Sequence, residues 1–444
     1  MQIGFAKREI TPPLLPDGDD SISILGWWWA RAQTYREIHD PLYARAMAVR
    51  EGGDAAVVMS CDLFGDIVGF TARAAERIAQ QHGLKPERVF IACTHTHTSP
   101  DTLNIGRAHA VADWWIDELV EKLAETAGTA LGAAREGTLW WAEAALPGLV
   151  ENRRAHLVAA YEKRHRPLSP ELRQRAAAAD ETLRVLWATD PAGKPFGALA
   201  NFACHPVVMQ TLPMISADYC GPAAARVEEV FGEGFVSLYV NGPCGDINPV
   251  CLWSYQYSDC EKTGGAIAAA TEAAIRGGGA PVLAAPIAGA LGAVEVQRQD
   301  IDKSAARTRR KLLQKASDQA TAAGKSVKDG DHPLCELVRT KEILRVAEMP
   351  ASAEVTVHAL RLGDIVFVCF PGEFFTALGQ DVRSALGGHV VLAACTRGHT
   401  GYICPREAFT LGGYEIGPGT WSWLKEGCGE RIAEKGIELA RSLK

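Results

Sequence analysis

The chain has 444 residues, 47% hydrophobic and 22% charged, a composition that buries a large core and argues against disorder. Its formal net charge is −7 with no long basic run, which disfavours nucleic acid and anionic membrane surfaces as partners. No stretch reaches transmembrane length, MQIGFAKREITPP lacks the apolar run of a secretion signal, and the twelve cysteines include no CxxC pair, so the expectation is a cytoplasmic protein with reduced thiols.

In chain order, the first unusual feature is Trp27, Trp28 and Trp29, which cannot all bury on one side of a strand or loop. Pocket lining, a subunit contact and plain core packing all remain open; Trp27 and Trp28 are candidate substrate contacts. AAVVMSCDLFG (55–65) reads as a buried strand and turn, with Asp62 at its end a candidate to orient a ligand histidine. TARAAERIAQQHG (71–83) reads as a helix closed by glycine, VFIAC (89–93) as a strand, and WWIDELVEKLAETAGTAL (114–131) as an amphipathic helix. FGALANFACHP, the helical GPAAARVEEVFG and the strand FVSLYV before NGPCGDINP continue the alternation. Residues 303–324 suit a solvated helix, and GKSVKDGDHP an exposed loop. This order predicts an α/β fold: a mixed, partly parallel β-sheet core flanked by helices, with catalytic residues on loops at strand ends. Residues 1–444 read as one interwoven catalytic unit, with room for two lobes.

Three strand ends carry metal-type side chains. THTHTSP places His95 and His97 after VFIAC, and an extended continuation would point both rings to one face. His205 ends an apolar run before Pro206, and Glu373 follows a strand and a Pro-Gly turn in VFVCFPGEFFT. Histidine nitrogen and carboxylate oxygen are ligands zinc accepts, and catalytic zinc sites keep one position open. Each residue also has an ordinary reading: solvated turn histidines, a hydrogen-bonded core histidine, and a carboxylate at a helix N-terminus. Asp246 and Asn248 suit a turn, Asp218 an N-cap or a partner to a ligand histidine, and Cys93 core packing or a stray metal contact.

Longer motifs narrow the choice. THTHTSP resembles the THTHSGP signature of the neutral/alkaline (non-lysosomal) ceramidases, zinc amidases that split N-acylsphingosines. EITPP, DPLYARA, PGEF, GYICPREAF and GGYE resemble further segments of that family in the same order along nearly the whole chain. The resemblance implies one Zn2+ per chain, coordinated by His95, His205, Glu373 and Tyr402. It implies His97 as an acid/base or substrate-orienting group and Tyr414 as donor to the developing oxyanion. It maps an Asn-Arg pair onto Asn152 and Arg153, with Arg154 the alternative register. The chain departs from the family pattern at ILGWWWAR and at TSPD after the histidines, and no C-terminal immunoglobulin-like domain of the family's kind is expected.

The resulting expectation is a zinc-dependent amidohydrolase cleaving a linear N-acyl amide bond. Its substrate would be a soluble small molecule, with Arg153, Asn152, Asp246 and the tryptophans as contacts. A true neutral ceramidase is the alternative. A cysteine hydrolase built on Cys204 or Cys244 and a non-catalytic binding module are the remaining readings. No stable membrane insertion and no nucleic-acid partner are expected, and a homo-oligomer is compatible with the sequence.

Overall fold

The computed structural model describes residues 1–14, 35–102, 112–165, 167–210, 212–325 and 332–443. Trp27, Trp28 and Trp29 lie outside them. Three mixed sheets form the frame, and each is built the same way: antiparallel strands ending in one parallel pair at an edge. In the first sheet Val89–Cys93 runs parallel to Asp54–Cys61, followed by Tyr43–Glu51, Gln2–Glu9 and Arg135–Glu136. In the second, Val236–Asn241 pairs in parallel with Pro195–Phe202, next to Thr182–Thr189, Thr138–Ala145 and Ala280–Pro281. In the third, His389–Ala393 runs parallel to Ile365–Cys369, beside Ser352–Leu362 and Ala288–Gln297.

The mixed, partly parallel α/β fold is as expected, but the core is divided among three sheets. The physical reason lies in the connections. A parallel pair needs a crossover long enough for a helix, whereas hairpins join neighbours directly. Phe70–His82, Cys220–Phe231 and Thr376–Leu386 supply one crossover helix per sheet. Phe70–His82 buries Ala74, Ala75 and Ile78 on one face, and Gly83 closes it in the left-handed region at φ 66°. The long helices Asp113–Gly132, Tyr257–Gly277 and Cys428–Ser442 cover the outer faces.

The sheets share one apolar core. Ile3 and Phe90 from the first, Leu199 and Leu238 from the second, and Phe367 and Val391 from the third belong to one buried cluster. The Phe90 and Phe367 rings meet edge-on at 5.5 Å. Each such fully buried side chain contributes roughly 1.5–3 kcal/mol. Polar staples join the sheets at one end. Asn241 Nδ2 donates to Thr94 O (3.0 Å), Asn201 Nδ2 to Leu392 O (2.9 Å), and Ala394 N to Asn241 O (3.1 Å). These contacts gather the carboxyl ends of the parallel strands, where α/β folds bind ligands. Lys303–Ala322 and Leu334–Glu348 form a helical hairpin inserted between Ala288–Gln297 and Ser352–Leu362; the first helix is largely exposed, as its composition predicts.

Candidate metal centre

His95, His97, His205, Glu373 and His399 all follow parallel strands of the three sheets, and all are buried. The extended run ends at Cys93, and His95 turns back with φ 72° in the left-handed region. The two imidazoles therefore converge through a bent loop, their rings 5.0 Å apart, and not through the pleat that an extended segment predicts. That loop is tied down by its threonines: Thr96 Oγ1 and Thr98 Oγ1 both donate to Ser216 O, at 2.9 and 3.0 Å. His95 N donates to Leu63 O and His97 N to Pro206 O.

The hydrogen bonds of the rings fix their tautomers. His95 Nδ1 lies 2.7 Å from Phe64 O, and His205 Nδ1 lies 2.6 Å from Cys244 O. A carbonyl only accepts, so each Nδ1 carries a proton, and in the neutral ring each Nε2 presents a lone pair. Both lone pairs face the same carboxylate oxygen. Glu373 Oε2 is 3.0 Å from His205 Nε2 and 3.7 Å from His95 Nε2, and His95 Nε2 has no hydrogen-bond partner. Three buried acceptors aimed at one another repel unless a cation lies among them. The nearest nitrogens of His95, His97 and His205 all fall within 4.8 Å of one another, a span suited to one ion. The donor set thus fits a small divalent metal.

Burial lowers His95, but the Glu373 carboxylate outweighs it and raises the imidazole above its ordinary value, so a cation, proton or metal, is favoured between them. Burial disfavours the charged form of Glu373, but the His205, His399 and His95 imidazoles outweigh it and hold the carboxyl well below the usual range. Burial and the Arg153 guanidinium bring His205 down to about 4. Burial, reinforced by His95 and His205, keeps His97 well below an ordinary histidine. Burial pushes the Tyr402 phenol well above its usual value, with Arg153 acting in the opposite direction.

A cavity of about 510 Å³ opens onto this group, lined by His97, His205, Arg153, Tyr402, Tyr414 and Trp253, among others. Tyr402 and Tyr414 hydroxyls are 3.2 Å apart, and Arg153 lies over both rings at 5.3 and 5.2 Å. Arg153 Nε donates to Glu415 Oε1 (3.0 Å), Nη1 to Asn248 Oδ1 (3.1 Å) and Nη2 to Gly245 O (2.6 Å). Arg154 turns the other way, reaching Glu415, Ala408 O and Gly412 O away from the metal group. The choice of register thus falls on Arg153 as the arginine nearer the paired tyrosines. Gly245 is required at this junction, since a Cβ there would stand 2.4 Å from Glu373 O.

Several expected roles move. Asn152 and Asp246 bind each other beneath the cavity and do not line it: Asn152 Nδ2 donates to Asp246 Oδ2 (2.8 Å), and Asp246 Oδ1 accepts from Thr376 N and Oγ1. They brace the turns carrying Arg153 and Glu373. Asp62 accepts from Arg45 Nη1 and Tyr43 N, and Asp218 from Met209 N and Tyr219 N. Neither is bonded to His95 or His205, whose Nδ1 atoms are held by backbone carbonyls. Cys93 packs in the apolar core of the first sheet, and Cys204 is buried likewise. Trp27 and Trp28 lie outside the described residues.

His399 escaped the sequence reading. Its Nε2 lies 3.5 Å from Glu373 Oε1, on the carboxylate oxygen opposite the other imidazoles. It stands six residues past Ala393, too far from the strand to show the apolar-run-then-histidine pattern. The available signal was its place three residues before Tyr402 in GHTGY.

Residues 2–281 match the family model described as neutral/alkaline non-lysosomal ceramidase, N-terminal. Two solved structures share the fold over the whole chain. A neutral ceramidase from Pseudomonas aeruginosa is 18% identical, with 74% of its chain covered and a TM-score of 0.76. A structure described as ceramidase complexed with C2 is 16% identical, with 75% covered and a TM-score of 0.76. No curated protein sequence matches the chain. The family match includes His95, His97, Arg153 and His205, while Glu373, His399, Tyr402 and Tyr414 lie beyond it and stand on the geometry above.

Proposed function

Because the chain belongs to the neutral/alkaline, non-lysosomal ceramidase family, we propose that it is a zinc-dependent amidohydrolase cleaving linear N-acyl amide bonds of a compact, soluble substrate. The observation that carries the metal half is the convergence of His95 Nε2, His205 Nε2 and Glu373 Oε2, three acceptors that need a shared cation. Tyr402, beside Glu373 through the short parallel pairing of residues 373–374 with 402–403, completes the proposed ligand set. Zinc held by these four residues would supply Lewis-acid chemistry toward water and the amide carbonyl.

The remaining steps belong to the chain's own groups. His97 lines the cavity and, kept neutral by burial, accepts the proton of the attacking water and returns it to the departing amine. The Tyr414 hydroxyl donates to the oxygen on which negative charge develops. Arg153, over the faces of both tyrosine rings, holds the pair in register through its bonds to Glu415, Asn248 and Gly245. Its two unused N–H bonds remain for an oxygen of the substrate.

Cavity size supports the substrate half: about 510 Å³ among the described residues suits a drug-sized ligand. A second reading, hydrolysis of ceramide, draws on the half-exposed Trp253 at the rim and on exposed Val250 and Tyr255 beside it in sequence, an apolar edge suited to an acyl chain. The two separate in one assay, kcat/KM for a long-chain ceramide in mixed micelles against a panel of soluble N-acyl amines and amino acids. Preference for the soluble panel supports the reading. Decisive preference for ceramide replaces its substrate half, and no amide turnover at all contradicts it.

A further inference from the structure

Two thiols stand against the candidate centre without a part in the chemistry above. Cys244 follows the strand Val236–Asn241 by three residues, and Cys395 follows His389–Ala393 by two, so the second and third sheets deliver them to one point. Their sulfur atoms and a ring nitrogen of His95 all lie within 4.8 Å of one another, and all three side chains are fully buried. His95 Nδ1 is committed to Phe64 O, so the nitrogen left to face them is Nε2, which has no hydrogen-bond partner. Neither cysteine lines the cavity. Among the described residues, no other pair of cysteines forms such a group with a histidine.

Packing alone accounts for cysteines as small apolar fillers, and both belong to the apolar cluster of the third sheet. It does not account for their convergence on an unpartnered imidazole nitrogen. Cys395 moreover holds φ 56°, a left-handed conformation that costs a side-chain-bearing residue roughly 1–2 kcal/mol. Two sulfurs and one imidazole are a set that prefers soft, thiophilic ions over magnesium or calcium.

We propose that Cys244, Cys395 and His95 form a second metal position that takes a thiophilic divalent ion, Cd2+ being the probe, in competition with the centre at His95, His205 and Glu373. The competition follows from His95 Nε2, whose single lone pair serves one ion at a time; this part rests on the zinc reading above. Filling the thiol position releases two thiol protons to solvent as the sulfurs become thiolates, with no oxidation or reduction. Movement of His95 toward the thiols also draws it away from Glu373 Oε2, already 3.7 Å distant. A soft ion would then empty the catalytic position without entering the cavity.

The test is a Cd2+ titration of the full chain as purified, read by the ultraviolet sulfur-to-cadmium charge-transfer absorption and by zinc released to a chromogenic indicator. The expected result is an absorption that saturates near one Cd2+ per chain while zinc is released in step. Cys244→Ser/Cys395→Ser should lose the absorption and still hold zinc. Cd2+ uptake by the wild-type chain without the sulfur absorption overturns the proposal, independently of how any variant folds. Persistence of the absorption in the double variant assigns it to other cysteines and also overturns it. Should the purified chain hold no zinc while the absorption appears and depends on both cysteines, the thiol position stands and the zinc reading, with the competition, falls.

Discussion

Replacing Glu415 by glutamine tests how the Tyr414 segment is held. Glu415 is 2% exposed and receives two guanidinium groups, Arg153 Nε on Oε1 at 3.0 Å and Arg154 Nη1 on Oε2. Glutamine preserves the shape but removes the charge, leaving Arg154, also 2% exposed, and part-buried Arg153 without their shared anion. Breaking one side of a buried pair costs about 3–5 kcal/mol. With an unfolding entropy near 2.1 cal/mol/K per residue, 444 residues give about 0.9 kcal/mol/K, so melting should fall by about 3–5 °C if the chain unfolds as one unit. Differential scanning calorimetry reads that shift, and steady-state kinetics should show kcat falling as Tyr414 loses its position. Arg154→Met and the double variant complete a cycle, with coupling of roughly 0.5–3 kcal/mol expected. Melting of Glu415→Gln indistinguishable from wild type would show that this carboxylate does not organise the site.

His97→Ala should lose roughly 10²-fold or more in kcat while keeping its zinc, checked by elemental analysis beside kinetics; a metal-free variant makes His97 a ligand instead. Tyr414→Phe should lower kcat by roughly 10²–10³-fold with little change in KM, as expected for a lost donor to the developing oxyanion. His358, away from the site, is buried against Glu87 O at 2.8 Å and brought down to about 3 by burial and the nearby Arg397. Its folded state therefore binds fewer protons than the unfolded chain between about pH 6.5 and pH 3. The stability it contributes is present above pH 6.5 and is lost as pH falls through that window, by up to about 1.4 kcal/mol per pH unit. His358→Gln should flatten the acid limb of a urea-denaturation profile, and an unchanged slope would assign that limb to other groups.

Which parts of this were legible in sequence has a physical pattern. Apolar runs that end in a chemically distinctive residue announce themselves, so Cys93 to His95, Phe202 to His205 and Cys369 to Glu373 were readable. The meeting of the three sheets was not, because Asn201, Asn241 and Thr94 join strands far apart in sequence. Carbonyls of Phe64 and Cys244, not the Asp62 carboxylate, orient the imidazoles, and a backbone acceptor leaves no residue-type signal. For Asn152 and Asp246, residue type does not distinguish a polar group facing a cavity from one bracing the turn beneath it. His399 and the Cys244–Cys395 pair depend on loop conformations, including φ 56° at Cys395, that sequence periodicity does not encode.

Metal content measured together with amide turnover shows whether His95, His205 and Glu373 share one metal ion. The purified chain should carry about one zinc per molecule. A chelator should remove zinc and activity in parallel, added zinc should restore both, and His205→Ala should lack both from the start. Full turnover by metal-free protein, or undiminished zinc in His205→Ala, would contradict a shared ion.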